Sequence, residues 1–274
     1  MDQLSRRDFV LAAASTGFAA MLHSSLGSPL AQRVPPISRI RRLKLLTAVS
    51  VDEMEAFYAG KLGMKTLDRS EKVISLRAGG TILEFVKSPR QGDGPLHHFA
   101  FNIPQNKIRP ALDWAKKRLE LIPAWGDLAD PSYPKEVIHF RHWNAHSIFF
   151  WDPAFNLVEF IARHDLTNDS KGGFSSGEIL CASEIGLPTT DPVKLAKLLN
   201  KELPLPAYPS GTSPQFAMGD QNGLLLCLMK DQTWPNSPKR SIKWGVNRTE
   251  IELAGTENKT IQVPGYPFTI RVVK

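Results

Sequence analysis

Residues 149–161 read FFWDPAFNLVEFI, and the two runs they join set the reading of the whole chain. His146–Pro153 (HSIFFWDP) and Asn156–Arg163 (NLVEFIAR) are short, apolar and rich in aromatic and branched residues, as strands are. The second run repeats an earlier one: Thr81–Val86 is TILEFV and Asn156–Ile161 is NLVEFI. A weak repeat at this spacing suggests two units of like construction, one after the other.

The segments upstream fit that reading. Leu43–Ser50 (LKLLTAVS) is strand-like, and Val51–Met64 (VDEMEAFYAGKLGM) is a helix with Met54, Phe57, Tyr58 and Leu62 at helical spacing, closed by Gly63. KTLDRS (65–70), KVISLRAG (72–79) and TILEFVKS (81–88) alternate as strands, with Gly79-Gly80 as a hairpin signal. The order is β, α, β, β, β. It recurs as LHHFAFNIP (96–104), a helix over 108–119, KEVIHFRHW (135–143), and the two runs quoted first. A polar stretch, TNDSKGGFSSG (167–177), marks a boundary. Beyond it, SEIGLPTTD (183–191) is strand-like, and a helix follows with Asp191 as N-cap and Pro192 in its first position. SPQFAMG, GLLLCLMKD, RTEIELAG and FTIRVVK then read as strands of a third unit with an irregular end.

The 274 residues are 42% hydrophobic and 22% charged, an ordinary globular composition. The net charge of +7 does not point to nucleic acid, because the basic residues are spread among 27 acids. The one concentration, Arg33, Arg39, Arg41, Arg42 and Lys44, lacks interleaved aromatics and reads as a solvated linker. At the start, Arg6-Arg7 precedes an Ala-rich apolar stretch, the pattern of a twin-arginine export signal. That stretch is too short and too rich in small residues to span a bilayer. The expected product is a periplasmic protein without stable membrane insertion, cut near Ala31-Gln32. Cys181 and Cys227 lie in apolar runs, as buried free thiols or, alternatively, a disulfide.

Three motifs together resemble the vicinal oxygen chelate superfamily of glyoxalases, bleomycin-resistance proteins and extradiol dioxygenases. They are the VDEMEAFYAGKLGM helix, the HHFAFNI strand, and FFWDPAFNLVEFI, similar to the family's DP-x-x-N-x-x-E hairpin. The resemblance covers residues 40–165 well and 178–274 loosely. It implies an α+β fold in which paired βαβββ modules form a curved mixed sheet. The expected organisation is a signal at 1–31, a linker at 32–42, a module pair at 43–165 (43–90 and 95–165), and a βαβββ-like C-terminal module at 178–274.

The resemblance also implies a divalent metal (Mn, Fe, Zn or Ni) between the first two units, held from their opening and closing strands. Carried over by position, the ligands are Glu84, His98 and Glu159. The fourth position falls on Leu43 or Lys44, neither a usual ligand. If Lys44 points inward, its ammonium can replace the metal by pairing with Glu84 or Glu159. His97 and His98 face opposite ways on a strand, and the family register selects His98. His139, His142 and His146 form a second group, with His142 and His146 read together with Lys44 as pocket residues or an alternative ligand source. Glu184 sits where an opening-strand ligand of the third unit would fall, but GLLLCLM offers no matching ligand. That unit is expected to cap the main cup or to pair with another copy in a homodimer. No Ser-His-Asp signature, phosphate loop, CxxC or dinucleotide fingerprint is present. Two readings stand: a metal-dependent lyase, isomerase or dioxygenase acting on a small oxygen-rich molecule, and a non-catalytic small-molecule binder with a degenerate metal site.

Overall fold

The computed structural model describes residues 37–89, 94–125, 128–208, 217–233 and 245–274. The leader and the start of the linker lie outside the described residues. The first unit is β1 (Ile37–Thr47), α1 (Val51–Glu55), β2 (Lys65–Arg69), β3 (Val73–Ala78) and β4 (Thr81–Lys87). The second is β5 (His98–Ile103), α2 (Ile108–Lys116), β6 (Leu121–Ile122), β7 (Val137–Phe140), β8 (Ala145–Trp151) and β9 (Leu157–Arg163). Then come β10 (Cys181–Thr189), α3 (Pro192–Glu202), β11 (Ala217–Asp220) and β12 (Gly223–Met229), followed by β13 (Thr249–Gly255), β14 (Lys259–Gln262) and β15 (Phe268–Val273). The α+β class and the βαβββ construction are as the sequence predicts.

Local chemistry explains the helices. Ser50 and Glu53 form a reciprocal capping box at the start of α1, and Asp191 accepts from the Lys194 amide at the start of α3. The helix expected to run to Gly63 is α-helical only to Glu55 and continues as a wider π-helical turn over Ala56–Lys61, with Leu62 N donating to Phe57 O at 3.0 Å. The wider turn lets the neighbours Phe57 and Tyr58 both bury their rings.

The partnering of the units differs from expectation. One seven-stranded sheet runs β14-β15-β13-β1-β4-β3-β2, and the other runs β11-β12-β10-β5-β9-β8-β6, with β7 added against β8. The first unit therefore pairs with the last three strands, and the second unit pairs with β10–β12. The expected C-terminal module is divided between the sheets, and units one and two do not share a cup. Strand partnership depends on contacts between distant segments, which local periodicity does not encode. The assigned linker is also shorter, because Arg39, Arg41 and Arg42 belong to β1.

Alternation gives each sheet two different faces. One face of each contributes to a shared core in which Leu43, Leu45 and Phe85 from the first sheet join Phe99, Phe101 and Phe160 from the second. Phe85 and Phe99 meet with ring centroids 6.3 Å apart. The sheets are also tied through backbone. Gly79, at φ +55°, turns the β3–β4 hairpin where a Cβ would meet the Ile179 and Leu180 carbonyl oxygens at 2.2 Å. Glycine alone fits that approach. The opposite faces carry the polar groups considered next.

Candidate metal centre

On the second sheet, His98, Ala100 and Asn102 of β5 lie on the same face as Glu159 and Arg163 of β9, with Ala100 opposite Glu159. A register shift between Ala182 and Glu184 brings Glu184 opposite Ala100 as well. The irregularity therefore turns Glu184 toward His98 and Glu159. His98 Nε2 lies 3.6 Å from Glu159 Oε2 and 4.0 Å from Glu184 Oε2. One ligand atom from each residue falls within 4.8 Å of the others. All three residues are at most 4% exposed. His97 is buried too, but its ring lies against Leu46, on the other side of the strand.

The electrostatics of this group call for a cation. Burial and then the charge of Glu184 raise the Glu159 carboxyl well above the usual range, and burial raises Glu184 despite its pairing with Arg163. Arg163, fully buried, donates to Glu184 and to Asn102 Oδ1 (3.1 Å), and lies over the Trp143 and Tyr208 rings at 5.4 and 5.7 Å. One guanidinium thus faces two buried carboxylates. Glu159 draws support from the Ser147 hydroxyl, and its Oε1 is otherwise unpartnered. His98 Nδ1 sits 3.1 Å from the Leu157 carbonyl, which can only accept, so Nδ1 carries the proton. Burial lowers the His98 pKa to about 4, so the ring is neutral near pH 7 and its Nε2 lone pair points toward two carboxylates. A neutral imidazole and two carboxylates with an unsatisfied oxygen are a donor set that fits a divalent metal.

The wall around the group is apolar. The Phe149 ring stacks near His98 (6.3 Å, 27°) and packs edge-on against Trp125, while Tyr208, Leu224 and Leu226 cluster on the other side. Such a shell excludes water and strengthens any charge interaction inside it.

The remaining expected site residues fall elsewhere. Glu84 is on the first sheet, outside the His98 group, and is held by Lys44 Nζ (2.8 Å) and Arg42 (2.9 Å). Lys44 therefore takes the outward position and Leu43 is core. His142 is exposed in the turn before β8. His146 faces away from His98: Phe149, three residues on, is opposite Glu159 and shares its side, so His146 takes the other. Arg163 and Asn102 went unnoticed as site residues. The signal for Arg163 lay in its spacing, since Glu159, Ile161 and Arg163 share one strand face. Both cysteines are buried and free, with burial raising Cys181 to about 11 and Cys227 to about 12.

No family model and no curated protein matches the sequence. Solved structures do match. A putative dioxygenase from Bacillus subtilis aligns over 86% of this chain and 85% of its own, at 15% identity and a TM-score of 0.53. The chain shares that protein's fold, an α+β arrangement of βαβββ modules in two mixed sheets. Shorter proteins align with part of the chain. Lactoylglutathione lyase from Agrobacterium tumefaciens covers 44% of this chain and 91% of its own (19% identity, TM-score 0.33). A glyoxalase/bleomycin resistance protein/dioxygenase from Nocardioides covers 49% and 89% (22% identity, TM-score 0.35).

Proposed function

We propose that this vicinal oxygen chelate protein is a divalent-metal-dependent enzyme whose centre is His98, Glu159 and Glu184, acting on a small oxygen-rich molecule. The observation that carries this reading is the convergence of three buried ligand atoms within 4.8 Å, an imidazole nitrogen and two carboxylate oxygens. A metal bound there supplies Lewis acidity toward adjacent oxygens of a ligand. The chain's own groups do the rest. The Leu157 carbonyl fixes the His98 tautomer. Arg163 holds Glu184 and offers a fixed guanidinium to negative charge beside it. Lyase, isomerase and ring-cleaving dioxygenase chemistry all use such a centre, and the fold does not choose among them.

One observation favours a second reading. Arg163 already supplies Glu184 with a buried cation, which suits a metal-free binder of small anions. Elemental analysis of purified protein decides between them. The enzyme reading expects bound Mn, Fe, Zn or Ni, of which one equivalent is lost in His98→Ala and Glu184→Ala and kept in Glu84→Ala. Metal content unchanged across all three variants would overturn the ligand assignment, and its absence even after reconstitution would leave the binder.

A further inference from the structure

Asp130, His139 and His146 bring three more ligand atoms within 4.8 Å of one another, on the face of the second sheet away from His98. We propose that these residues form a second divalent-cation site, of the kind that takes Zn²⁺, separate from the buried centre.

Strand register builds the site. His139 of β7 and His146 of β8 are directly paired across the hairpin, and their rings stack 4.2 Å apart at 16°. The chain before β7 adds Asp130, whose Oδ2 lies 2.7 Å from His146 Nε2 and 3.5 Å from His139 Nδ1. Its other oxygen accepts from the Ser132 amide at 2.8 Å, which fixes the carboxylate. Two imidazoles and one carboxylate suit late first-row divalent metals.

The hydrogen-bond chain behind His146 gives the stronger argument. Gln105 directs its amide NH₂ to Asp169, so its Oε1 is an acceptor, 3.3 Å from His164 Nδ1. His164 Nδ1 then carries a proton, and its Nε2 accepts from His146 Nδ1 at 2.7 Å. With His146 Nδ1 protonated, a neutral His146 turns a bare Nε2 toward Asp130. In the metal-free chain a second proton fills the 2.7 Å gap between that nitrogen and the carboxylate, and a divalent ion would displace it. The backing of a ligand histidine by a further acceptor is the usual outer support of a metal centre.

Unlike the buried centre, these side chains are 11–22% exposed, which leaves an ion a route in from solvent. A bound ion would clamp the segment around Asp130 onto the β7–β8 hairpin.

The test is a Zn²⁺ titration against a chromophoric chelator, with Co²⁺ visible absorption as a second readout, on the full chain and variants of it. Zn²⁺ binding at this site should persist in His98→Ala. In that His98→Ala background it should be lost on adding Asp130→Asn or His139→Gln, together with the Co²⁺ ligand-field bands. His164→Ala removes only outer support and should weaken binding about tenfold. Zn²⁺ should also raise the melting temperature of His98→Ala but not of the His98→Ala/His139→Gln double variant. A His98→Ala chain that binds no Zn²⁺, or binding equal with and without His139, would overturn the proposal and leave a protonated histidine relay.

Discussion

The outward faces of the two sheets begin from the same strand plan and end in opposite physical states. On the first sheet, Glu84 is held by Arg42 and Lys44, and Glu250 by Arg248 and Arg271, with the four cationic side chains 38–65% exposed. On the second, Glu159 and Glu184 are sealed beneath Trp143, Tyr208 and Phe149 with one guanidinium between them. In the open face, water and flexible side chains neutralise each carboxylate cheaply. In the closed face every uncompensated charge is costly, so the arrangement is informative about function. A buried surplus of carboxylate is the condition that the proposed cation, or a proton, would relieve. An exposed lattice of ion pairs presents no such condition.

The comparison is broken most directly at Arg163. Arg163→Ala leaves Glu184 buried without its partner and should cost about 3–5 kcal/mol, read as a shift of the denaturant midpoint. A loss under about 1 kcal/mol, the range of exposed pairs, would mean the closed face is wet. Next is the bond between the first unit and the FFWDPAFNLVEFI hairpin. Tyr58 donates to Asp152 Oδ2 (2.8 Å), and Asp152 also accepts from the Ala154 and Asn156 amides and the Asn156 side chain. Tyr58→Phe removes one of these bonds and should cost about 1–3 kcal/mol by the same measurement, with little change in metal content.

The smallest effect belongs to the open face. Burial tends to raise Glu250, but hydrogen bonds from Arg271 and Arg248 outweigh it and leave the carboxyl lowered. A lowered acid contributes stability above its ordinary value of 4.5 and loses it as pH falls through the lowered value. The pH dependence of melting below about pH 5 should therefore flatten slightly in Glu250→Gln, and added salt should mimic part of the change. A slope identical to wild type would show that these ion pairs contribute nothing.

Much of this was legible in the sequence. Period-2 patterning marked the strands, alternation separated His98 from His97, and the family register chose His98. The position of Glu184 was visible too, but its partners were not, because they depend on β10 pairing with β5 and on a register irregularity at Ser183. Glu84 was misplaced for the same reason. Its strand has the right pattern, and the sheet it joins is fixed by β1 and β13, which are far apart in sequence. Asp130 carried no periodic signal, since it lies outside any strand run.

The strand order also sets a timetable for assembly. The second sheet is built entirely from residues 98–229, one uninterrupted stretch, whereas the first needs β1–β4 and β13–β15. During synthesis the inner sheet can close while β1 still waits with one edge unpaired. An exposed strand edge invites pairing with other chains. Arg39, Arg41, Arg42 and Lys44 along β1 give that waiting edge a run of like charges that repels copies of itself.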